Sequence, residues 1–206
     1  MKMTSKNRID NSPIIIIGAE RSGTTLLYSI LSNHKDLYWF SRIDDLLPSF
    51  PVLCSYFRRV FLKNKKTIAI KGRIGRSKGI FSPTECLNYW LKIFKWGNEK
   101  DYLIKDDVFS EKDLGISERE AILEDFILRM KISRKKRLLL KQPGFSLKIK
   151  YFNRLLPEAK FIHIVREPVA NIISYVKAKD LSNQKFWGTK IPQWKEYLDC
   201  SNVEQS

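Results

Sequence analysis

Cysteine and histidine are scarce in this sequence of 206 residues, which contains three of the first and two of the second. Cys54, Cys86 and Cys200 lie far apart with no C-x-x-C pair, and His34 and His163 do not complete a set of zinc ligands. The sequence therefore predicts no metal site. We interpret the cysteines as free thiols in a reducing compartment.

Long apolar segments are missing as well. The N-terminal stretch MKMTSKNRIDNS is polar, and the apolar run that follows it is too short for a signal sequence or a membrane span. The sequence shows no internal repeat and no low-complexity tract. We therefore expect a globular, cytoplasmic protein without a transmembrane segment.

Acidic residues are outnumbered, with 22 of them against 38 basic residues and a net charge of +16. This excess favours an anionic partner such as a polyphosphorylated nucleotide, an acidic polymer, nucleic acid or a membrane surface, and charge alone does not choose among them. The length predicts a single domain over residues 1–206. We expect a variable helical insertion at about residues 49–137, where aromatic and basic residues alternate and either bind an acceptor or simply pack on a sheet.

Residues 13–33, PIIIIGAERSGTTLLYSILSN, organise the rest of the sequence. Four consecutive isoleucines between a proline and a glycine predict a strand that is buried on both faces. After the glycines the leucines and isoleucines recur with helical spacing, which predicts an α-helix. The turn between strand and helix, GAERSGTT, has the glycine spacing of a P-loop.

Thr24 stands in this turn where a nucleotide triphosphatase carries its lysine, and the cation of the loop is Arg21. Glycines let the backbone approach a ligand closely, and inward N–H groups with the positive end of the following helix favour an anion such as phosphate. Because the loop lacks this lysine, the sequence favours ATP hydrolysis less than a complete P-loop would. The alternative is that the glycines serve only the turn, which the strand and helix context disfavours.

The second half of the sequence alternates between apolar strands and helical patterns. Strands are predicted at residues 138–140 and 159–165, the second of them buried with His163 in the core. A helix is predicted to begin at a capping box of Ser117 and Glu120 and to carry a core-facing apolar stripe. The alternation predicts an α/β fold, a P-loop NTPase-like parallel sheet with helices on both faces.

Polar residues near the predicted strand ends are candidate site residues, because ligands of open α/β sheets bind at these ends. Asp44 and Asp45 follow a short aromatic strand, and either acts as a general base or caps a helical turn. Lys141 ends one strand and either reaches the crevice or extends to solvent. Arg166 ends the next strand and Ser174 follows two turns into a helix, where both can bind a phosphate.

Taken together, these residues resemble the PAPS-dependent sulfotransferases, where PAPS is 3′-phosphoadenosine 5′-phosphosulfate. PIIIIGAERSGTTLL resembles their 5′-phosphosulfate-binding loop. AKFIHIVREPVANIISYVKAK resembles their 3′-phosphate-binding strand and helix, with Arg166 and Ser174 eight positions apart as in that family. LLLKQPGFSLKIKYFNRLLPEAKFIHIVRE is most similar to the protein-tyrosine and bacterial sulfotransferase branches, and the resemblance covers residues 13–48 and 138 to about 194.

The resemblance implies the sulfotransferase fold and transfer of a sulfuryl group from PAPS to an acceptor hydroxyl, without a metal. Catalysis would then consist mainly of positioning and charge stabilisation. The residues implied to bind PAPS are Arg21, Ser22, Gly23, Thr24, Thr25, Arg166 and Ser174. Those implied to be catalytic are Arg21 and Lys141, which would stabilise charge, and Asp44 or Asp45, one of which would be the base.

Two features depart from that family. In the tyrosine-sulfating branch a glutamate follows the second strand as base, and here this position falls on Arg42, so Asp44 or Asp45 would have to replace it. The chain also ends at Ser206, soon after the segment from Trp187 to Trp194, where members of the family usually continue. We therefore expect either a truncated form or one that binds nucleotide weakly.

Two other functions stay open. A P-loop nucleotide kinase would need Mg²⁺ and, usually, the loop lysine that Thr24 replaces. A non-catalytic binder of nucleotide or polyanion would fit the net charge of +16. No specific nucleic-acid partner is expected, and the sequence does not indicate the oligomeric state or whether the acceptor is a carbohydrate, lipid, peptide or small molecule.

Overall fold

The computed structural model describes residues 12–62, 79–93 and 115–182. These segments contain four strands, seven α-helices and a 3₁₀ helix. The strands are β1 (Ile14–Gly18), β2 (Leu37–Tyr38), β3 (Arg137–Lys141) and β4 (Lys160–Ile164). The helices are α1 (Thr24–Leu31), α2 (Arg42–Leu46), α3 (Pro51–Phe61), α4 (Leu87–Ile93), α5 (Ile116–Ser133), the 3₁₀ helix (Pro143–Leu147), α6 (Ile149–Leu155) and α7 (Pro168–Ser182).

The four strands form one parallel sheet in the order β2-β3-β1-β4. Ile15 of β1 lies opposite Leu140 of β3 on one side and Phe161 of β4 on the other. Because all strands run in the same direction, the loops that follow β1, β3 and β4 meet at one edge of the sheet. The predicted candidate residues of these loops are thereby brought to a common edge.

Helices cover both faces of the sheet, which confirms the α/β prediction. Ile15 and Ile17 of β1 belong to a core cluster that includes residues of α4, α5 and α6. Ile16 points to the other face, where it packs in a second cluster with Tyr28 of α1. This alternation follows from the period of two in a strand, and it explains why β1 is apolar at every position.

Helix α5 carries the predicted apolar stripe. Its buried residues include Ile122, Leu123, Phe126 and Met130, which face the sheet. The predicted start at a Ser117 capping box is wrong. The helix begins at Ile116 after an extended Gly115 cap, so the serine already lies inside the first turn.

Strand β4 is less buried than the sequence predicts. Its residues are exposed or half-buried, and His163 is exposed rather than part of the core. The physical reason is its place in the sheet: among the described strands, β4 pairs with β1 alone. An apolar sequence predicts that a strand is present but does not tell how many neighbours it has.

Among the aromatic residues of the region 49–137, those of α4 pack as ordinary core, whereas Tyr56 and Phe61 of α3 are exposed. Tyr89 and Trp90 of α4 are buried and contact Phe40 after β2, with ring centroids 4.5 and 5.6 Å from that of Phe40. The bounds of the proposed insertion and of a single domain stay predictions. In the described part of the chain, no helix has both the length and the apolarity that crossing a membrane requires.

Candidate functional site at the strand ends

The loop after β1 is held tightly against the sheet. Gly18 has φ 149°, and a Cβ there would lie 2.6 Å from the carbonyl oxygen of Ile164, so a side chain at this position would clash with backbone. The amide of Gly18 donates to the hydroxyl of Ser146 in the 3₁₀ helix at 3.0 Å. The first glycine of the motif is therefore needed for close packing with β4.

The second half of the loop opens into helix α1. Gly23, with φ 105°, is the N-cap of the helix, and the amide of Leu27 donates to its carbonyl at 3.1 Å. Arg21 also has a positive φ, of 65°. Ser22 and Thr24, which flank Gly23, are buried. The amides that precede the first helical hydrogen bond are those that a helix N-terminus offers to an anion.

Three of the predicted binding residues lie together on one side of this loop. Nε of Arg21 donates to Oγ of Ser174 in α7 at 3.3 Å. Nη1 of Arg166 donates to the carbonyl oxygen of Arg21 at 3.0 Å. Two arginines and a serine from distant parts of the sequence thus surround the same turn. Guanidinium groups in such a place are suited to bind phosphate.

Helix α7, which carries Ser174, is capped by a carboxylate. Glu167 accepts hydrogen bonds from the amides of Ala170 and Val169, the latter at 2.8 Å. These two bonds, that of Ala170 first, lower the pKa of Glu167. The cap fixes the start of the helix next to Arg166 and so helps to position that side chain.

Lys141, at the end of β3, lies on the other side of the loop. Its ammonium donates to Oγ1 of Thr25 at 3.0 Å and forms an ion pair with Glu85. The lysine side chain is 2% exposed, so it reaches the loop rather than solvent. The structure therefore favours the interpretation that Lys141 reaches the crevice over the one that it extends to solvent.

Asp44 is enclosed in a buried network instead of facing this loop. It pairs with Nη1 of Arg129 at 2.6 Å, accepts from the amide of Ser41 at 2.8 Å, and lies 3.9 Å from Arg58. The hydroxyl of Tyr38 donates to it at 3.4 Å. Ser41 and Asp44 form a capping box for α2. The geometry thus matches the capping alternative, and a catalytic role for Asp44 stays a prediction.

Asp45 is half-buried and ties α2 to α4. Its Oδ1 accepts from the amide of Asn88 at 2.8 Å. Burial raises the pKa of Asp45, against the lowering effect of the hydrogen bonds and of nearby Arg42. Its role as base likewise stays a prediction.

Two residues near the loop are not among the site residues that the sequence predicts. Ser146 bonds both the amide and the carbonyl of Gly18, and Glu85 pairs with Lys141. Ser146 follows Lys141 by five positions in the readable segment LLLKQPGFSLK, which offers a weak signal for it. Glu85 lies far from the other motifs and shows no pattern that would reveal it.

Within the described ranges, no group of three histidine, cysteine, aspartate or glutamate side chains is placed to hold a metal ion. Cys54 and Cys86 are buried free thiols, whereas Cys200 lies outside the described residues. Burial raises the pKa of Cys54 to about 11.

A parallel α/β sheet with a glycine loop and basic side chains at its strand ends is typical of α/β proteins that bind anionic ligands. Within that class, the chain belongs to the sulfotransferase family. The model of that family matches residues 13–200.

Two curated relatives carry the name omega-hydroxy-beta-dihydromenaquinone-9 sulfotransferase Stf3, one from Mycobacterium bovis and one from Mycobacterium tuberculosis. Each is 28% identical to this chain over 174 residues, an alignment that covers 78% of this chain and 43% of the relative. The chain thus spans less than half the length of these relatives. Among solved structures, sulfotransferase STF9 from Mycobacterium avium superposes with a TM-score of 0.47 at 17% identity, covering 83% of this chain and 48% of the other.

Proposed function

We propose that this chain transfers a sulfuryl group from PAPS to an acceptor hydroxyl. The observation that carries the proposal is the convergence of Arg21, Arg166 and Lys141 on one glycine loop at the carboxyl edge of the sheet. Membership in the sulfotransferase family supports the same reaction class. A binder of a single small phosphate would not need cations on both sides of the loop.

The residues present fit a donor with two separate anionic groups. The amides at the start of α1, with the hydroxyls of Ser22, Thr24 and Thr25, suit the 5′-phosphosulfate. We assign the 3′-phosphate to Arg166 and Ser174, which lie beside Arg21 at the other end of the loop. A 3′-phosphate pocket would discriminate PAPS from ATP.

Charge stabilisation would come from Arg21 and Lys141. Sulfuryl transfer, like phosphoryl transfer, passes through a loose in-line transition state, so the protein acts mainly by positioning and electrostatics. The ammonium of Lys141 is nearly excluded from water, and a charge in such surroundings interacts more strongly than one in solvent. Lys141 is therefore well placed to stabilise negative charge that develops near Thr25.

The proposed acceptor is a compound with a hydroxyl group, which is a carbohydrate, a lipid, a peptide or a small molecule. The names of the two mycobacterial relatives describe sulfation of an omega-hydroxylated dihydromenaquinone, which is a hydroxyl acceptor. For this chain we propose only that the sulfuryl group is transferred to a hydroxyl group. The cytoplasmic location and the identity of the acceptor stay predictions.

Calorimetric titration with adenosine 3′,5′-bisphosphate (PAP), the donor product, tests the proposal. We expect the wild-type chain to bind PAP more tightly than ATP with Mg²⁺. Replacing Arg166 by alanine should weaken PAP binding by roughly 10- to 100-fold, because hydrogen bonds to charged groups contribute about 1.5–3 kcal/mol. ATP binding should change much less, since ATP lacks the 3′-phosphate.

The matched control is Arg154→Ala. Arg154 is an exposed arginine of α6, so its loss removes the same charge without touching the loop. If PAP binding weakens equally in Arg166→Ala and Arg154→Ala, the cause is the loss of a positive charge from the protein in general and not the loss of a 3′-phosphate contact. Absence of PAP binding by a folded wild-type chain would overturn the proposed function.

A further inference from the structure

Glu85 is a carboxylate that contacts the candidate site through Lys141. It pairs with the ammonium of Lys141, which also donates to Oγ1 of Thr25 in the glycine loop at 3.0 Å. Its side chain is 37% exposed, whereas that of Lys141 is 2% exposed. The carboxylate is thus open to a second substrate that arrives from solvent, while the lysine is not.

The backbone around Glu85 is fixed by contacts on both sides. The amide of Thr84 donates to the carbonyl of Phe40 at 3.1 Å, and the indole of Trp90 donates to the carbonyl of Glu85 itself at 3.1 Å. Cys86 is buried and has a φ of 50°, which is uncommon for a residue other than glycine. Strained conformations persist where the surrounding structure determines them, and they cluster at functional sites.

Asp44 and Asp45 have other partners. Asp44 is bonded to Arg129 and Ser41 in the core, and Asp45 accepts the amide of Asn88. Glu85, in contrast, contacts the strand-end lysine directly. Among these three carboxylates, it therefore has the best position to meet a hydroxyl group that approaches the loop.

We propose that Glu85 is the general base of the transfer reaction, an inference that rests on the proposed function. The proton of the acceptor hydroxyl passes to a carboxylate oxygen of Glu85 as the acceptor oxygen forms its bond to sulfur. The bond between sulfur and the bridging oxygen breaks, and its electron pair leaves on the 5′-phosphate of PAP. Lys141 stabilises the carboxylate before transfer and the developing negative charge during it.

The test compares wild type with Glu85→Gln, which keeps the shape and a hydrogen-bond acceptor for Lys141 but removes the charge. PAPS is supplied with phenol, with p-nitrophenol or with water as acceptor, at a mildly alkaline pH. We expect kcat/KM for phenol to fall by roughly 10²- to 10⁴-fold, the usual contribution of a general base. The loss should be much smaller for p-nitrophenol, which is largely ionised already, and PAP affinity should be unchanged.

Two further variants complete the design. Glu120→Gln changes an exposed glutamate of α5 and should leave transfer as in wild type. Glu85→Asp retains a carboxylate and should recover part of the phenol activity. Thermal unfolding of each variant establishes that it is folded before rates are compared.

The outcomes separate the two proposals. If wild type does not bind PAP, the proposed function fails and the role of Glu85 fails with it. If wild type binds PAP, the base assignment is overturned by any of three results. These are equal losses with both phenols, a loss of PAP affinity in Glu85→Gln, or the absence of transfer from PAPS to any of the three acceptors by wild type.

Discussion

Two ion pairs of this protein combine the same charges in different surroundings. The pair of Asp44 and Arg129 joins α2 to α5, and its side chains are 1% and 0% exposed. The pair of Glu85 and Lys141 joins the segment before α4 to the end of β3, with the carboxylate 37% exposed. The first is closed on all sides by protein, whereas the second has one open side.

The surroundings determine what each pair can do. Arg129 lies over the ring of Tyr89 at 4.8 Å and donates to Asp125 at 2.8 Å, so the buried charge of this guanidinium is shared among several partners. A charge held in this way stabilises the arrangement of the helices but cannot reach a substrate. The Glu85 carboxylate stays partly exposed, so an acceptor hydroxyl that arrives from solvent can come within hydrogen-bond distance of it.

The largest effect on stability is expected from Asp44→Asn. Removing the charge leaves the Arg129 guanidinium buried without its main partner, and breaking a buried pair in this way lowers the free energy of unfolding by about 3–5 kcal/mol. Urea unfolding followed by the fluorescence of buried Trp39 and Trp90 measures the loss.

Asp36→Asn is the control for Asp44→Asn. Asp36 pairs with Lys136 at 3.7 Å on the surface, and an exposed pair contributes about 0–1 kcal/mol. If Asp44→Asn unfolds like wild type and yet loses transfer activity, the comparison between the two pairs breaks down. Asp44 would then be a catalytic residue after all.

Lys141→Met should give the opposite profile, a large loss of activity with little loss of stability. Methionine fills a similar volume, and the unpaired Glu85 remains partly solvated, so unfolding should change by about 1 kcal/mol or less. Loss of one preorganised charge donor should lower kcat by roughly 10²- to 10³-fold. Steady-state transfer and urea unfolding of the same preparation measure the two quantities.

Lys150→Met serves as the companion variant, because Lys150 is an exposed lysine of α6. It should retain the activity of wild type. A destabilisation of Lys141→Met as large as that of Asp44→Asn would mean that both pairs are structural, and the distinction drawn from solvent exposure would be wrong.

The main elements of the site could be predicted from local patterns. The isoleucine run and the glycine spacing predict β1, the loop and α1, because strand burial, turn geometry and helix periodicity are all encoded within residues 13–33. The capping box of Ser41 and Asp44 is likewise a local signal, separated by three positions. Of the two roles considered for Asp44, that signal favours the capping role.

Contacts between distant parts of the sequence could not be predicted in this way. Glu85 and Lys141 are separated by 56 positions, and their pairing depends on how the segment before α4 packs beside β2. The exposure of His163 depends on the position of β4 in the sheet order rather than on its own sequence. Both facts follow from tertiary packing, for which a single sequence contains no periodic signal.

Asp45 is a half-buried carboxylate. We expect its substitution to have the smallest effect on the free energy of unfolding, and this effect depends on pH. Burial raises its pKa in the folded protein above the ordinary value near 3.9. Between the unfolded and the folded pKa of Asp45, the folded state binds more protons than the unfolded state. The stability that Asp45 contributes is therefore full below about pH 3.9 and is lost as pH rises through the folded pKa.

Asp45→Asn cannot titrate, and its amide oxygen can still accept a hydrogen bond from the amide of Asn88. Its free energy of unfolding relative to wild type should therefore rise with pH over this acidic window and then level off. Urea unfolding at a series of pH values measures this difference, and a difference that falls with pH would show that desolvation does not dominate at Asp45.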